Sequence, residues 1–244
     1  MPDPAIVFNK VSLSFGDKPL FQDLSFALER GTCTCLLGPS GCGKSTILQL
    51  ISGRSSLTCS GEIRYPGAVK GRASVAWMAQ DDLLLPWLDV TANVLLGAKL
   101  RGQVTVELRN KAVQLLQEAG LDGYEHALPS SLSGGMRQRV ALLRTLMEER
   151  PILLMDEPFS ALDALTRVKL QNLSSRLIKG ATVLLVTHDP MEALRMAGRI
   201  LVLGGNPVRV ATDILLQGTP PRAAGDPELV KRYPQLLDLL MAGA

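Results

Sequence analysis

The 244-residue chain has no run of Lys and Arg, only two histidines, and no apolar stretch approaching the roughly 18 residues a membrane-crossing helix needs. Each absence removes a class of function. A net charge of +3 spread along the chain provides no footprint for a nucleic acid, so no nucleic-acid partner is expected. Two histidines exclude a histidine-rich metal site. The four cysteines, Cys33, Cys35, Cys42 and Cys59, contain no C-x-x-C pair and read as reduced thiols of a cytosolic protein. Met1-Pro2-Asp3-Pro4 lacks the basic and apolar regions of a signal peptide. The reading is a cytoplasmic chain whose membrane association comes through a partner. Aromatics are only 4% of the residues, yet 46% are hydrophobic, enough for a sizeable core in one large or two small domains.

What is present is organised around Gly38-Pro39-Ser40-Gly41-Cys42-Gly43-Lys44-Ser45-Thr46, a full match to the phosphate-loop pattern G-x-x-x-x-G-K-[ST]. Thr32 to Leu37 before it is β-branched and apolar, as in a buried strand, and Ser45 to Ile51 after it is helix-compatible with Gly53 as a stop. The glycines let backbone N–H groups turn inward as an anion nest at a helix N-terminus. Lys44 is placed to reach the β- and γ-phosphates of a nucleotide, and the Ser45 hydroxyl to bind Mg²⁺. Within the nest, inward N–H groups and Lys44 are expected to favour a thiolate at Cys42, the cysteine most readily alkylated.

Short β-patterned runs, Ile6 to Phe8, Val11 to Phe15 and Leu24 to Leu28, predict a small antiparallel sheet before the loop, with turns at Gly16 to Pro19 and Glu29 to Gly31. A strand pair is expected around Gly61 to Tyr65, and Ser74 to Ala79 reads as a strand delivering Gln80. From Asp82 to about Glu149 the pattern is helical, with Leu108, Ala112, Leu115, Leu116 and Ala119 on one face, Thr105 as N-cap and Gly120 as stop. Strand and helix then alternate: Pro151 to Met155, Leu165 to Lys179, Thr182 to Thr187, and a pair at Ile200 to Leu203 and Val208 to Ala211. Such alternation predicts an α/β fold with a mostly parallel sheet. Asp226-Pro227-Glu228 opens a last helix whose Leu236, Leu237 and Leu240 are expected to dock on the body. The boundaries read as a core of 1–81 and 150–215 that includes the antiparallel part, a helical subdomain at 82–149, and a helical tail at 216–244.

Ile152 to Glu157 is an apolar strand ending in two acids at the sheet edge. Asp156 is placed to hold Mg²⁺ through water; Glu157, one residue further, to orient or deprotonate the water that attacks the γ-phosphate. Leu132-Ser133-Gly134-Gly135-Met136-Arg137-Gln138-Arg139 opens another helix and makes a second anion site. Two sites with one phosphate loop leave two arrangements: one monomer folding back on itself, or two copies in a twofold dimer with two nucleotides at its interface.

Together with Gln80, Ser160-Ala161-Leu162-Asp163 and Thr187-His188, these strings resemble, in order and spacing, the ATP-binding subunit of ABC transporters over residues 5 to about 215. The resemblance implies a P-loop NTPase (RecA-like) core with an N-terminal antiparallel β subdomain and an inserted helical subdomain. It implies ATP and Mg²⁺ as cofactors and a head-to-tail homodimer in the nucleotide-bound state. ATP would lie between the phosphate loop of one copy and Ser133, Gly134 and Gly135 of the other. His188 corresponds to the histidine that touches the γ-phosphate, Gln80 to the ligand of Mg²⁺ and attacking water, Asp163 to the loop that crosses to the other site, and Phe15 to the aromatic that stacks on adenine. Read from the residues alone, His188 is equally a loop histidine and Phe15 a core aromatic. Met136 departs from the family, which most often has Gln there; the backbone donors of Gly134 and Gly135 remain, so the expected effect is modest.

The single cassette and the run Gln80 to Leu88 resemble the nitrate, sulfonate, taurine and pyrimidine-precursor importers. That branch implies a permease at the cytoplasmic face of the inner membrane and, indirectly, a periplasmic or lipoprotein solute-binding protein. A soluble ABC ATPase acting on ribosomes or DNA is the alternative. An unrelated P-loop kinase is a third reading, opposed by Leu132 to Met136 and His188. Leu83 to Leu88 is more apolar than a surface loop; Leu83 and Leu85 suit core, and Leu84 and Trp87 suit a groove that receives a permease helix.

Overall fold

The computed structural model describes residues 3–53, 57–67 and 75–242. The chain opens with strands β1 (Pro4–Phe15), β2 (Lys18–Glu29) and β3 (Cys33–Leu37), then α1 (Lys44–Ser52), β4 (Ser60–Arg64) and β5 (Val75–Met78). Five helices follow, interrupted by one strand: α2 (Val90–Val94), α3 (Leu96–Leu100), α4 (Val106–Glu118), α5 (Gly134–Leu146), β6 (Ile152–Asp156) and α6 (Ala164–Leu177). The chain closes with β7 (Thr182–Thr187), α7 (Pro190–Met196), β8 (Arg199–Gly204), β9 (Arg209–Leu215) and α8 (Pro227–Ala242). Ser74, expected to begin the fifth strand, lies outside the described residues.

Two compact units divide these elements: Met1–Val75, Pro151–Asp156 and Gly180–Ala244 form one, Ala76–Arg150 and Glu157–Lys179 the other. This differs from the division expected from the sequence in three places, the first being residues 76–81, expected in the core and found in the second unit. Residues 157–179 group with the helices because Gln138 of α5 bonds the backbone of Glu157 and Ala161. The tail at 216–244 belongs to the first unit because Leu229 and Leu236 are buried there and α8 packs on α7.

In the first unit, β1 pairs antiparallel with β2 and with β4 in a three-stranded sheet of order β2-β1-β4. The separate runs expected at Ile6 to Phe8 and Val11 to Phe15 are one strand. Lys10 takes a φ of 48° there, and the register shifts between Phe8 and Val11. Hydroxyls satisfy the amides this bulge displaces: Ser25 Oγ accepts the Lys10 N–H and Ser12 Oγ accepts the Asp23 N–H, both at 2.9 Å. Phe8 and Phe26 stack across the strands at 4.5 Å. The segment at Gly61 is not a strand pair of its own; β4 finds its partner in β1.

The larger sheet of this unit runs β6-β7-β3-β8-β9, parallel except for β9. Its central strands are buried along their length, which is why they read as continuous apolar runs. Helix α1 packs on β6, and α7 on β3 and β7. Of the residues expected to dock α8, Leu236 is buried, Leu240 half-buried and Leu237 exposed; Leu229 is the second buried anchor. The parallel α/β core with an antiparallel sheet and a helical unit is the P-loop NTPase fold.

In the second unit four helix starts have a side-chain cap, and α3, which follows directly on α2, has none. Asp89 accepts the Ala92 amide, Thr105 that of Leu108, Ser133 that of Met136 and Asp163 that of Thr166. Arg139 closes the other end of α4 by donating to the Ala119 and Gly120 carbonyls.

Candidate nucleotide-binding site

Parallel register brings the first unit's functional residues to one sheet edge. Leu37 pairs with Thr187 and Asp156 with Val186, so Gly38, His188 and Asp156 stand at the carboxyl ends of three neighbouring strands. Adjacent strands are about 4.8 Å apart, which puts the outer two of these chain positions roughly 10 Å from one another. Such an edge is where open α/β sheets bind ligands.

The phosphate loop is built by its glycines. Gly41 and Gly43 have φ of 79° and 89°, and a Cβ on Gly43 would come within 2.8 Å of the Phe21 ring. Gly43 caps α1 in this left-handed conformation, and Gly53 ends it in another. Lys44 is buried, its ammonium 2.8 Å from the Gly38 and Pro39 carbonyl oxygens. Ser45 and Thr46 are half-buried and Ser40 is exposed. The Ser45 hydroxyl and the buried Asp156 carboxylate are hard oxygen donors, a set that suits Mg²⁺ completed by phosphate and water. Phe15 is 52% exposed at the end of β1, so it is not the core aromatic.

The expected thiolate at Cys42 is corrected. Burial is the largest influence on this thiol and raises its pKa, against the opposing pull of Lys44 and of backbone donors. The Lys44 ammonium is 3.9 Å from the sulfur and makes its shorter bonds to two carbonyls instead. Burial also raises Cys35, and pushes Cys33 up to about 12. Cys59, which is half-exposed, is therefore expected to react with maleimide before Cys42 at neutral pH. Peptide mass spectrometry of a labelling time course checks the order; Cys42 modified first would restore the thiolate.

The second unit carries the remaining residues. Gln80 is exposed just beyond β5. Ser133, Gly134 and Gly135 form the first turn of α5, with the Ser133 hydroxyl accepting the Met136 amide. A Cβ on Gly135 would lie 3.0 Å from the Ala161 carbonyl oxygen, so this glycine lets the 160–163 loop approach. Asp163 is exposed, and the backbone and side-chain hydrogen bonds of Thr166 hold its carboxyl below the usual carboxylate range. Glu157 has a φ of 48°, a strained value for a residue with a Cβ. Its carbonyl accepts from Gln138 Nε2 at 3.0 Å, Ser160 Oγ at 3.1 Å and the Ser160 amide at 3.3 Å.

Gln138 was missed in the sequence. It is 6% exposed and also accepts the Ala161 amide at 2.9 Å, so one amide side chain sets both the turn bearing Glu157 and the loop leading to Asp163. The available signal was a polar residue on the buried face formed with Ala141, Leu142 and Thr145.

The expected exposure of Leu84 is also corrected: Leu84 is buried and Leu83 is 62% exposed. Leu83 has a φ of 46°, and Asp82 Oδ1 accepts the Leu84 amide. Arg144 donates to the Asp82 and Leu83 carbonyls at 2.6 and 2.8 Å, and Arg137 Nε is 2.9 Å from Asp82 Oδ2. This tied turn reverses which leucine faces inward. Leu85 is half-buried, and Trp87 is 71% exposed. Asn93, fully buried, holds the bend: its side-chain carbonyl accepts the Leu85 amide at 2.8 Å and its amide donates to the carbonyls of Leu85, Leu88 and Asp89.

A phosphate loop between a strand and a helix, with an acid at the end of another parallel strand of the same sheet, defines a P-loop ATPase. Residues 21–160 match the family described as ABC transporter, and the chain belongs to that family. It is an ATP-hydrolysing subunit of the ABC type. It is 41% identical to an uncharacterized ABC transporter ATP-binding protein of Haemophilus influenzae, over 94% of this chain and 96% of that one. It is also 41% identical to an aliphatic sulfonates import ATP-binding protein of Rhodococcus jostii, over 93% of this chain and 89% of that one. Among solved structures, a dimeric ATP-binding cassette in a post-hydrolysis state with ADP and Pi superposes with a TM-score of 0.75. It is 30% identical, covering 87% of this chain and 99% of its own. No helix among the described residues is long and apolar enough to cross a membrane.

Proposed function

We propose that the chain powers an importer for a small solute, through ATP-driven closure and reopening of a head-to-tail dimer at the cytoplasmic face of a membrane permease. The solute class is that of the sulfonate, nitrate, taurine and pyrimidine-precursor importers, delivered by a separate solute-binding protein. The names of the relatives support import, and the dimeric cassette supports the dimer. The alternative of a soluble ABC ATPase on ribosomes or DNA has no such support.

In this reading the phosphate loop, Lys44 and Phe15 bind ATP; Ser45, Asp156 and Gln80 would hold Mg²⁺, which neutralises phosphate charge when bound. Glu157 takes a proton from, or orients, the attacking water, and His188 contacts the γ-phosphate. From the other copy, Ser133, Gly134, Gly135 and Asp163 complete the site.

The observation that carries coupling is Trp87, an exposed indole on a turn that the buried Asn93 makes rigid. An aromatic anchor on a fixed turn suits a groove for a short permease helix, with Leu83 beside it in place of Leu84. Trp87→Ala is expected to leave ATP hydrolysis and melting temperature of the isolated subunit nearly unchanged, since exposed substitutions usually cost under about 0.5 kcal/mol. Assembly with the permease should weaken and uptake in cells should be lost. Normal copurification of the permease with the variant would remove this contact from the proposal.

A further inference from the structure

Helix α8 is fixed in the first unit at one end of its length and left apolar at the other. Asp226 accepts the Glu228 amide at 2.9 Å to start it, and Leu229 and Leu236 anchor it at 3% and 0% exposure. Past these anchors its own unit covers the apolar side chains only in part: Leu237 is 36% exposed and Met241 78%. A helix that simply ended in water would gain nothing from them. Instead, Leu237, Leu240 and Met241 line an open cavity of about 280 Å³ whose other walls are Gly38, Pro39 and His188. The apolar end of α8 is thus continuous with the phosphate loop and with the histidine that follows β7.

We infer that the last turns of α8 belong to the surface on which a second copy of this chain closes over bound ATP, with Leu237 and Met241 covered on closure. The inference rests on the head-to-tail dimer proposed above. In that dimer Pro39 and His188 face the other copy, whose nucleotide contacts include the partner subunit's Ser133. An apolar wall continuous with Pro39 and His188 is then desolvated with them. The position also selects the occupant. A protein seated permanently in this cavity would stand at the entrance to the phosphate loop and bar the nucleotide. The occupant must therefore arrive with or after ATP, as a second copy does. Burial of Leu237 and Met241 adds an apolar contribution to an interface otherwise made of loop backbone, a hydroxyl and an imidazole.

The test places Leu237→Glu and Met241→Glu, singly and together, in a Glu157→Gln background that retains ATP. Both sites are exposed enough for the fold to tolerate the change, which thermal melting verifies. Dimerisation is followed by sedimentation across protein concentration, and nucleotide affinity by fluorescent ATP analogue on dilute monomer. The expected result for the double variant is a dimer dissociation constant raised at least about tenfold with monomer affinity for nucleotide changed less than about twofold. Val230→Glu, on an exposed part of α8 away from the cavity, should match the parent. Dimerisation equal to the parent overturns the inference. So does an equal loss of nucleotide affinity in the monomer, which would make α8 a wall of the pocket. If the Glu157→Gln parent itself forms no ATP-dependent dimer, the dimer reading fails first and the inference fails with it.

Discussion

Glu157→Gln is expected to hydrolyse ATP at least about a hundredfold more slowly than the natural protein while still binding it, the loss typical of removing a general base or water-positioning group. The substitution is nearly isosteric, and what holds the residue in place is its backbone. Three hydrogen bonds from Gln138 and Ser160 converge on the Glu157 carbonyl and maintain the left-handed φ of 48°. The side chain is half-buried and contributes none of those bonds, so the amide should occupy the carboxylate's place without disturbing the fold. ATP should then persist in the site and hold two copies together. Light scattering with and without MgATP reads the dimer, and phosphate release reads turnover. Near-normal turnover would assign the base to another residue. Gln138→Ala should slow hydrolysis as well, by releasing the turn, and differs from Glu157→Gln in lowering the melting temperature.

The second large effect is expected at Arg222, whose side chain is 1% exposed. Its guanidinium donates to four carbonyls: Leu194 at 2.8 Å, Ala197 at 2.7 Å, Gln217 at 2.9 Å and Gly218 at 3.3 Å. Leu194 and Ala197 end α7, where a cation also meets the negative end of the helix dipole. Burial lowers the pKa of Arg222, against the opposing pull of Asp226 and Glu228. The guanidinium nevertheless stays charged over the working pH range. Removing it strands buried acceptors, and Arg222→Ala should cost on the order of 3 kcal/mol. For a chain of this size that corresponds to a melting temperature lower by roughly 6 to 12 °C. Arg222→Lys should recover little, because one ammonium cannot span four carbonyls held by a planar fork. A melting temperature within about 2 °C of the natural protein for Arg222→Ala would show that water replaces the donors and that the bonds are of little net worth. Helix α7 begins at Pro190, immediately after His188 and its neighbour Asp189, which caps the helix through the Met191 and Glu192 amides. Arg222 therefore acts at the far end of the short helix that follows the histidine, and residual ATP hydrolysis in the Ala variant should fall along with stability.

Much of this molecule was legible in the sequence because the physical cause of each feature is local. The phosphate loop needs only two left-handed glycines between a buried strand and a helix start, and those nine residues state all of it. Thr105 and Asp226 cap helices within three positions of themselves, so a short window suffices to find them; Ser133 and Asp163 cap helices in the same local way. Asp156 could be placed at a sheet edge because a fully buried parallel strand is an uninterrupted apolar run and the acid marks where it stops. Features set by distant contacts behaved differently. The inward leucine after Gln80 is Leu84 rather than Leu83 because Arg144, far along the chain, holds two carbonyls of that turn. The pKa of the Cys42 thiol is raised rather than lowered because tertiary burial outweighs a lysine two residues away. Arg222 looks like an ordinary charged residue of a proline-rich linker until α7 brings its terminal carbonyls around it. Leu237 looks like part of a docked apolar face until the helix places it, with Met241, in an open cavity beside Pro39 and His188. A capping bond or a glycine φ is determined by neighbours in the chain, whereas burial, and with it protonation and the choice of inward face, depends on which distant segments exclude water from a side chain.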